Sequence, residues 1–435
     1  MASLDTRRHG PTMTTLARPE NWAGNVSFGA ASVAAPTDVE GLCRTLAGVE
    51  RAKALGAGHS FSAIADTDGL LVSTDGLTGI GPLDEDLRTV TIEPGVRYAD
   101  LGPWLHQRGW ALHNLPSLPH VTVAGAVATG THGSGSASGG LATAVASIEL
   151  ATADGELRRF ERGDADFEGA VVSIGALGIV ARLELSVEPT YEVEQAVWSG
   201  LAWSEALAHF DEVVDGASSV SLFTRWTGDV VDQVWTKQRV ATASAAALAG
   251  LGARPFDVPV HPVGGDASSC TQQLGEPGPW HERLTHFRDG FRPGTGAELQ
   301  SEFFVDRQVA VEAMTSLRGL GPALDSVLLT SEIRTIAADE LWLSGAYGRE
   351  TVAFHFTWTL DPNAIASVLA ELERTLEPFE PRPHWGKLTG LDATTIRSRF
   401  ANVAAFDELR RSLDPRGVFD NPALRSLVGE PATRP

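Results

Sequence analysis

The alternation of apolar and polar positions divides the chain into two regions of different character. Between about residues 21 and 190, short apolar runs alternate with glycine-rich turns, which predicts short strands with helices between them. Between about 191 and 375, longer apolar runs predict a large antiparallel sheet with helices. The predicted strands are 51–55, 70–73, 89–92, 147–152, 180–187, 298–305, 327–336 and 351–359, and the predicted helices are 39–46, 99–108, 167–174, 204–214 and 363–376. The order is too irregular for a repeating βαβ array, so the predicted fold class is α+β.

The length of the chain predicts more than one domain. Its 435 residues exceed the roughly 100–200 residues of an ordinary domain, so two or three lobes are expected. We predict a flexible leader at 1–20, a first domain at 21–190, a second domain at 191–375, and a C-terminal segment at 376–435 that returns to the first domain. The stretch 241–265 is rich in alanine, glycine and proline and is predicted to be a loop.

Charge and cysteine content exclude several functions. A net charge of −21 and a pI near 4.9 argue against binding to nucleic acid or to an anionic membrane. Cys43 and Cys270 are too few for a disulfide framework or a zinc site, so a reducing compartment is expected. The N-terminal residues contain no apolar run of the kind that forms a signal peptide or a membrane span. We therefore expect a cytoplasmic monomer without a metal site.

Two glycine-rich segments are candidate ligand sites. The first, Gly56-Ala-Gly-His-Ser-Phe-Ser62, directly follows a predicted strand, and its backbone N–H groups could form a nest for phosphate oxygens. A tight turn at the end of the strand is the alternative, since the third glycine of the dinucleotide fingerprint is missing. The second covers 123–135 and has so many small residues that a large planar or phosphate-bearing ligand is expected beside it. A flexible linker is the alternative there, although valines in the segment argue against it.

Two predicted strands and a short C-terminal motif carry polar residues that could bind hydroxyl groups. Residues two apart on a strand share a face, so Glu332 and Arg334 point the same way. On the next strand His355, Thr357 and Thr359 alternate with Phe354, Phe356 and Trp358, which predicts one polar face and one packed aromatic face. A solvated sheet face with a salt bridge is the alternative. Lys387, next to a tryptophan and a glycine, is predicted to lie in a confined position, and a surface lysine is the alternative.

Several motifs, taken in order, resemble those of one known family. They are Gly58-His-Ser-Phe-Ser62, the run 119–135, Ser173-Ile-Gly-Ala-Leu-Gly-Ile-Val180, Glu332-Ile-Arg334, His355-Phe-Thr357, His384-Trp-Gly-Lys387 and Asp414-Pro-Arg-Gly-Val-Phe-Asp-Asn421. Together they are similar to the motifs of the vanillyl-alcohol oxidase superfamily of FAD enzymes, and within it of the alditol oxidases. The resemblance extends from residue 21 to residue 422.

The resemblance implies a fold and a cofactor. The fold is a two-domain FAD-binding fold of the vanillyl-alcohol oxidase (PCMH) type, in which 21–190 and the C-terminal return bind FAD and a large antiparallel sheet in 191–375 binds substrate. It implies a covalent bond between His59 and the 8α-methyl carbon of the flavin, and a single attachment, since no cysteine lies near the second glycine-rich segment. The residues expected to line FAD are Ala57, Gly58, His59, Ser60, Phe61, Ser117, Leu118, Thr122, Gly125, Ala126, Thr129, Gly130, Thr131, His132, Gly133, Ile179, Val180 and Lys387.

The resemblance also implies an activity. The terminal primary alcohol of a polyol such as xylitol or sorbitol would be oxidised to the aldose, and dioxygen would be reduced to hydrogen peroxide. The residues expected around the substrate are Ser117, Glu332, Arg334, His355, Thr357 and Lys387. Of these, Arg334 and Lys387 would hold the reacting hydroxyl and stabilise its developing negative charge. The residues that would bind the distal hydroxyls or accept the proton are Glu332, His355, Thr357 and Ser117.

The sequence is compatible with three other functions. A sugar-1,4-lactone oxidase or dehydrogenase of the same superfamily shares the Glu-x-Arg and His-Trp-x-Lys motifs. A hydroxy-acid oxidase is disfavoured by the net charge of the chain and by the lack of a second cation dedicated to a carboxylate. A non-catalytic flavin or carbohydrate binder is disfavoured because His59, Arg334 and Lys387 are all present.

Overall fold

The predicted α+β class is confirmed by the order of strands and helices. A computed structural model of the chain describes residues 19–240, 246–290 and 298–429. The predicted leader lies outside these ranges except for its last two residues, of which Glu20 forms a bridge with Ser27. In the described ranges no helix is long and apolar enough to cross a membrane.

The strands form two small sheets and one large one, together with a short two-stranded pair. The strands are β1 (Ser32–Ala34), β2 (Ala52–Leu55), β3 (Leu70–Ser73), β4 (Ile80–Asp84), β5 (Thr89–Ile92), β6 (Trp110–Ala111), β7 (Val145–Ala151), β8 (Leu157–Glu161), β9 (Ile179–Ser186), β10 (Glu188–Pro189), β11 (Glu192–Ser199), β12 (Ser219–Thr224), β13 (Gln233–Arg239), β14 (Arg254–Pro255), β15 (Gly278–Pro279), β16 (Glu298–Asp306), β17 (Leu328–Ile336), β18 (Thr351–Thr359) and β19 (Arg382–Pro383). The small sheets are the parallel sheet β1-β3-β2 and the antiparallel sheet β4-β5-β9-β7-β8. The large sheet is antiparallel and nine-stranded, with the order β14-β11-β13-β12-β17-β18-β16-β19 and with β15 beside β11, while β6 pairs with β10.

Helices connect the strands, and several of them pack against the sheets. They are α1 (Val39–Leu46), α2 (Tyr98–His106), α3 (Val123–Ala128), α4 (Phe167–Val171), α5 (Trp203–Ala208), α6 (Phe210–Val214), α7 (Ala246–Gly250), α8 (Ala310–Gly319), α9 (Gly321–Leu324), α10 (Pro362–Leu376), α11 (Ala393–Arg399), α12 (Val403–Leu413) and α13 (Pro422–Val428). The start of α10 has a clear local cause, because the Asp361 carboxylate accepts hydrogen bonds from the N–H groups of Asn363 and Ala364. The helix then buries Ile365, Leu369, Leu372 and Leu376, which lie on one face at helical spacing.

The large sheet has two different faces, as the alternation in β18 predicts. Phe354, Phe356 and Trp358 are fully buried in an apolar cluster with residues of α5, α6, α8 and α10. The intervening His355 and Thr357 point to the other face, where they are also buried. The alternative of a solvated sheet face is therefore wrong, and the polar face must lie against something other than bulk water.

Some predicted elements differ from the observed ones. The predicted helix 204–214 is two helices, α5 and α6, because the backbone leaves helical geometry at His209 (φ −120°, ψ 31°). The predicted helix 167–174 ends at Val171, before Ile174 and Gly175 take left-handed φ values of 49° and 63°. The predicted loop 241–265 contains α7, although residues 241–245 lie outside the described ranges.

The C-terminal segment contains three helices that pack into the core. Helices α11, α12 and α13 contribute Ile396, Phe406 and Leu424 to an apolar cluster that also contains Ile92 of β5 and Ile148 of β7. The last part of the chain thus packs against strands formed by the first part.

Candidate active site

A cavity of about 520 Å³ lies between the glycine-rich segments and the polar face of the large sheet. This volume is in the range of small-molecule and cofactor sites, roughly 300–1,000 Å³. All six predicted substrate residues line it: Ser117, Glu332, Arg334, His355, Thr357 and Lys387. The predicted cofactor residues that line it are Ala57, Gly58, His59, Ser60, Phe61, Ser117, Leu118, Thr122, Gly125, Ala126, Thr129, Thr131, His132, Ile179, Val180 and Lys387.

Two of the predicted cofactor residues, Gly130 and Gly133, are not among the residues that line this cavity. Gly130 has a φ of 66°, a conformation that favours glycine. A Cβ atom at Gly133 would collide with the side-chain amide of Asn114. Backbone conformation and close packing therefore explain both glycines.

The first glycine-rich segment is held at the cavity by contacts from both ends of the chain. The Asn21 side-chain amide donates to the Ser60 carbonyl (2.9 Å), and the Phe61 N–H donates to the Gly386 carbonyl (2.7 Å). Gly58 has a φ of 68°, which explains the need for glycine there. The segment is therefore more than a simple turn at the end of β2, because distant parts of the chain fix its backbone.

His59 lies at the cavity in a defined orientation. Its ring stacks on Trp22, with ring centroids 4.6 Å apart and planes inclined by 23°. Its Nε2 lies 2.6 Å from Nε2 of His120, so one of the two rings donates a hydrogen bond to the other. These two contacts fix the plane of the His59 ring.

The second glycine-rich segment is part of the folded core. Val123 and Val127 of α3 are buried in the main apolar cluster, while Gly125 and Ala126 line the cavity. The linker alternative is therefore wrong. The small residues let the backbone form a wall of the cavity, since larger side chains would fill it.

Lys53 is a residue of the cavity wall that sequence reasoning missed. It is 2% exposed, and its Nζ donates to the carbonyls of Gly175 and Phe419, each at 3.0 Å. Burial and the nearby Arg410 guanidinium lower the pKa of Lys53 to about 7. A lysine inside the apolar strand β2 was the signal that could have identified it, because an uncompensated buried amine is costly.

The strand register explains how the polar residues meet. Glu302 of β16 and Glu332 of β17 both lie opposite His355 of β18. Arg334 and Thr357 follow two residues further along their strands and therefore point to the same face. One row of adjacent strand positions thus supplies two carboxylates and an imidazole to the cavity.

Glu302 is the centre of this cluster, and sequence reasoning missed it. It is 1% exposed, and its carboxylate accepts hydrogen bonds from Arg334 (2.7 Å) and from the Lys387 amine (2.7 Å). The Nε2 atom of His132 lies 3.2 Å from the same carboxylate. The polar alternation Glu298, Gln300, Glu302 along β16 was the available signal, because it repeats the pattern of β17 and β18.

The electrostatics of the cluster keep both carboxylates ionised. Burial alone raises the pKa of Glu302, but Lys387, His132 and Arg334 together hold it well below its usual value. Burial likewise raises the pKa of Glu332, but Arg334 and His286 lower it by more, so the net shift is strongly downward. At neutral pH both groups are therefore hydrogen-bond acceptors only.

Lys387, His355 and Thr357 form a chain of hydrogen bonds along the cavity wall. Burial and the Lys387 ammonium lower the pKa of His355 to about 4, so its ring carries one proton at neutral pH. Lys387 donates to His355 Nδ1 (2.6 Å), which leaves the proton on Nε2, 3.0 Å from the Thr357 hydroxyl. The Thr357 hydroxyl accepts that bond, and its own proton is free to point elsewhere.

Arg334 has hydrogen-bonding capacity left over. Its NH2 group binds Glu302, and its NH1 group lies 3.4 Å from the Ser117 hydroxyl. Its Nε–H is buried and makes no hydrogen bond among the described residues, although Oε1 of Glu332 lies 3.6 Å from Nε. A buried donor without a hydrogen bond on a cavity-lining residue is a position where a ligand can supply the acceptor.

The residues of the cavity fit FAD by their chemistry. Glycine-rich backbone suits a pyrophosphate and a large planar ring, and the buried Lys387 amine suits a ring system that becomes anionic on reduction. The fold and site together define a flavin-dependent oxidoreductase.

Comparison with known proteins gives the same class. A family model described as an FAD binding domain matches residues 30–161, and a D-arabinono-1,4-lactone oxidase model matches residues 298–427. The chain is 46% identical to an alditol oxidase from a Streptomyces species, over 94% of this chain and 98% of that protein. It is 28% identical to the L-gulono-1,4-lactone dehydrogenase of Mycobacterium tuberculosis, over 94% and 98% of the two chains. Xylooligosaccharide oxidase from Myceliophthora thermophila has the same fold, with a TM-score of 0.75 at 14% identity and 98% coverage of each chain.

The chain therefore belongs to the alditol oxidase family, within the vanillyl-alcohol oxidase superfamily of FAD-dependent oxidoreductases. This confirms the resemblance and the enzyme class predicted from the sequence.

Proposed function

We propose that this enzyme oxidises the terminal primary alcohol of an alditol such as xylitol or sorbitol to the aldose and reduces dioxygen to hydrogen peroxide. The observation that carries the proposal is the cluster of Arg334, Lys387 and hydrogen-bonding groups that faces the cavity. Cations stabilise the negative charge that develops on a reacting hydroxyl, and neutral donors and acceptors suit the other hydroxyls of a polyol. The glycine-rich segments would hold FAD, which would supply the two-electron acceptor for the alcohol, with dioxygen as the final acceptor.

In this proposal each residue of the cluster has a separate role. Arg334 and Lys387 hold the reacting hydroxyl, and Glu302 keeps both cations in place through hydrogen bonds of 2.7 Å each. Thr357 donates its free proton to a substrate oxygen, because its own oxygen accepts from His355. Ser117 offers a further hydroxyl within 3.4 Å of Arg334.

Glu332 has two candidate roles, and its charge state favours one of them. Its pKa lies well below the usual value because Arg334 and His286 outweigh the effect of burial. A carboxylate of low pKa is a good hydrogen-bond acceptor and a poor proton acceptor. We therefore assign Glu332 to binding a distal hydroxyl and not to removing the proton of the reacting one.

We further propose that His59 carries FAD covalently and that the cofactor residues predicted above surround it. Support comes from the position of His59 at the cavity and from its contacts with Trp22 and His120, which hold the ring in one orientation. A fixed ring loses little freedom when a bond forms, which favours the reaction.

The covalent bond gives a direct prediction. In wild-type enzyme the yellow chromophore is expected to remain with the protein pellet after acid precipitation, whereas in His59→Ala it is expected to pass into the supernatant. His106→Ala is the matched control, because His106 lies at the end of α2 and outside the cavity. In this variant the chromophore is expected to stay with the protein pellet, as in the wild type. Release of flavin from the wild-type protein would contradict the covalent bond without affecting the alditol assignment.

A sugar-1,4-lactone is the second candidate substrate. The lactone-oxidase model that matches residues 298–427 covers the strands that carry Glu332, Arg334 and His355, which is the specific observation in its favour. Both substrates are neutral, so charge does not separate them. Peroxide release measured with xylitol and with L-gulono-1,4-lactone distinguishes the two, and we expect the larger kcat/KM for xylitol.

A hydroxy acid and a non-catalytic role fit less well. A substrate carboxylate beside Arg334 would also lie near Glu302 and Glu332, whose negative charges repel it. A binding protein would have no need for two cations held against one buried carboxylate, because burying such a group is costly.

We also propose a domain organisation, a cellular location and an oligomeric state. Residues 21–190 with the return 376–435 would form the FAD domain, and 191–375 the substrate domain, which is supported by the apolar cluster shared by the early strands and the helices α11, α12 and α13. Cytoplasmic location is supported by the free thiols of Cys43 and Cys270. A monomer completes the proposal, and size-exclusion chromatography tests it.

A further inference from the structure

His286, a buried residue outside the predicted site, contacts the Glu332 carboxylate, and the buried Lys237 in turn contacts His286. Nε2 of His286 lies 2.7 Å from Oε1 of Glu332, and Nδ1 of the same ring lies 3.0 Å from Nζ of Lys237. Lys237 is 1% and His286 is 5% exposed. Lys237 lies on β13, and His286 lies in a loop 49 residues further along the chain, so no local sequence pattern joins the two.

The hydrogen bonds of His286 have one possible direction. Burial and the nearby Lys237 lower the pKa of His286 to about 4, so its ring carries a single proton at neutral pH. The ionised Glu332 can only accept, so that proton lies on Nε2, and Nδ1 must accept from Lys237. Lys237 thereby selects the tautomer of His286 that donates to Glu332.

The amine of Lys237 makes three hydrogen bonds. Its Nζ donates to the carbonyls of Leu284 (2.5 Å) and Thr285 (2.8 Å) as well as to His286. Burial lowers the pKa of Lys237. Three acceptors surround its amine, which is the number that the three N–H groups of an ammonium ion require. One side chain on a rigid strand thus fixes three consecutive residues of a loop.

The same loop also holds a second substrate residue. The His286 N–H donates to the Ser117 carbonyl at 3.0 Å. The His286 ring packs edge-on against Phe223 and Trp235, with centroid distances of 5.5 and 5.3 Å. The ring therefore cannot turn without breaking its contacts to the sheet and to Glu332, while the backbone of the same residue holds the segment that carries Ser117.

We propose that Lys237 and His286 are positioning residues for polyol binding: they hold the Glu332 carboxylate in the one orientation in which its free oxygen accepts a hydrogen bond from a distal hydroxyl of the substrate. This inference rests on the proposed function, which gives Glu332 its role. It adds two residues that do not touch the reacting carbon but determine how tightly the polyol binds.

The test is a set of substitutions in the FAD-loaded enzyme, read as separate KM and kcat values for xylitol. His286→Leu keeps the size of the side chain and removes the donor, and we expect KM to rise about 10- to 100-fold, as for a lost hydrogen bond to a charged group, with a smaller change in kcat. His286→Gln places an N–H near the position of Nε2 and is expected to restore most of the affinity. Lys237→Met is expected to raise KM in the same direction as His286→Leu.

The controls separate positioning from general damage. His106→Leu, outside the cavity, is expected to keep the wild-type KM, and the ratio of flavin to protein absorbance reports whether each variant folds. An unchanged KM in His286→Leu, or a His286→Gln variant no better than His286→Leu, would overturn this inference. A wild-type enzyme without turnover on xylitol would instead contradict the proposed function on which it rests.

Discussion

Replacing Lys387 with methionine is expected to lower kcat/KM for xylitol about 10²- to 10³-fold, the usual cost of removing one preorganised donor from a developing negative charge. Methionine has nearly the same length and apolar surface as the lysine stem, so packing is retained while the charge is lost. The loss should fall mainly on kcat, because the charge on the reacting oxygen is larger in the transition state than in the bound alcohol.

Two further variants test whether the lost activity is caused by the missing charge at Lys387. Lys387→Arg keeps a cation beside Glu302 and is expected to retain more activity than Lys387→Met. Lys237→Met removes a buried lysine that contacts His286 and does not line the cavity, and it is expected to act on KM and not on kcat. A Lys387→Met enzyme with wild-type kcat would contradict the role given to Lys387.

Replacing Glu302 with glutamine is expected to lower the free energy of unfolding by about 3–5 kcal/mol, the typical cost of breaking a buried ion pair from one side. Glu302 is the shared acceptor for Arg334 and Lys387, so the substitution removes the carboxylate that both bind at 2.7 Å, and Arg334 is left with the more distant Glu332, 3.6 Å from its Nε. Activity should fall as well, since both cations lose the contact that orients them. Thermal and urea unfolding of the variant and the wild type measure the change.

The stability that Glu302 contributes is expected to depend on pH. The cations hold the folded pKa of Glu302 well below its unfolded value of about 4.3. Its stabilising contribution is therefore present above the unfolded pKa and is lost as the pH falls through the folded value. The difference in stability between wild type and Glu302→Gln should shrink on acidification.

Glu298→Gln is the matched control for Glu302→Gln. Glu298 lies on the same strand and the same face, but burial raises its pKa, so its charged form is disfavoured in the fold. Neutralising it should cost little stability at neutral pH. Equal losses in the two variants would contradict the special position of Glu302.

The parts of the site that the sequence predicts are those that depend on local spacing. Glu332 with Arg334, and His355 with Thr357, follow the two-residue period of a strand, and each pair lies on the cavity face as expected. Glu302 has the same period in its own strand and could have been included on that ground.

The parts that the sequence does not predict depend on pairing between distant segments. The row of Glu302, His355 and Glu332 exists only because β16 and β17 both pair with β18 in one register. Lys237 joins the site because β13 pairs with β12, and β12 with β17. No local pattern encodes such non-local contacts, which is also why the contacts of His286 were missed.

The most direct test of the account is the visible spectrum of the purified enzyme under anaerobic conditions, before and after addition of xylitol. We expect xylitol to bleach the flavin absorbance rapidly, L-gulono-1,4-lactone to bleach it more slowly, and air to restore it with release of hydrogen peroxide. A flavin that the lactone bleaches and xylitol does not would contradict the alditol assignment.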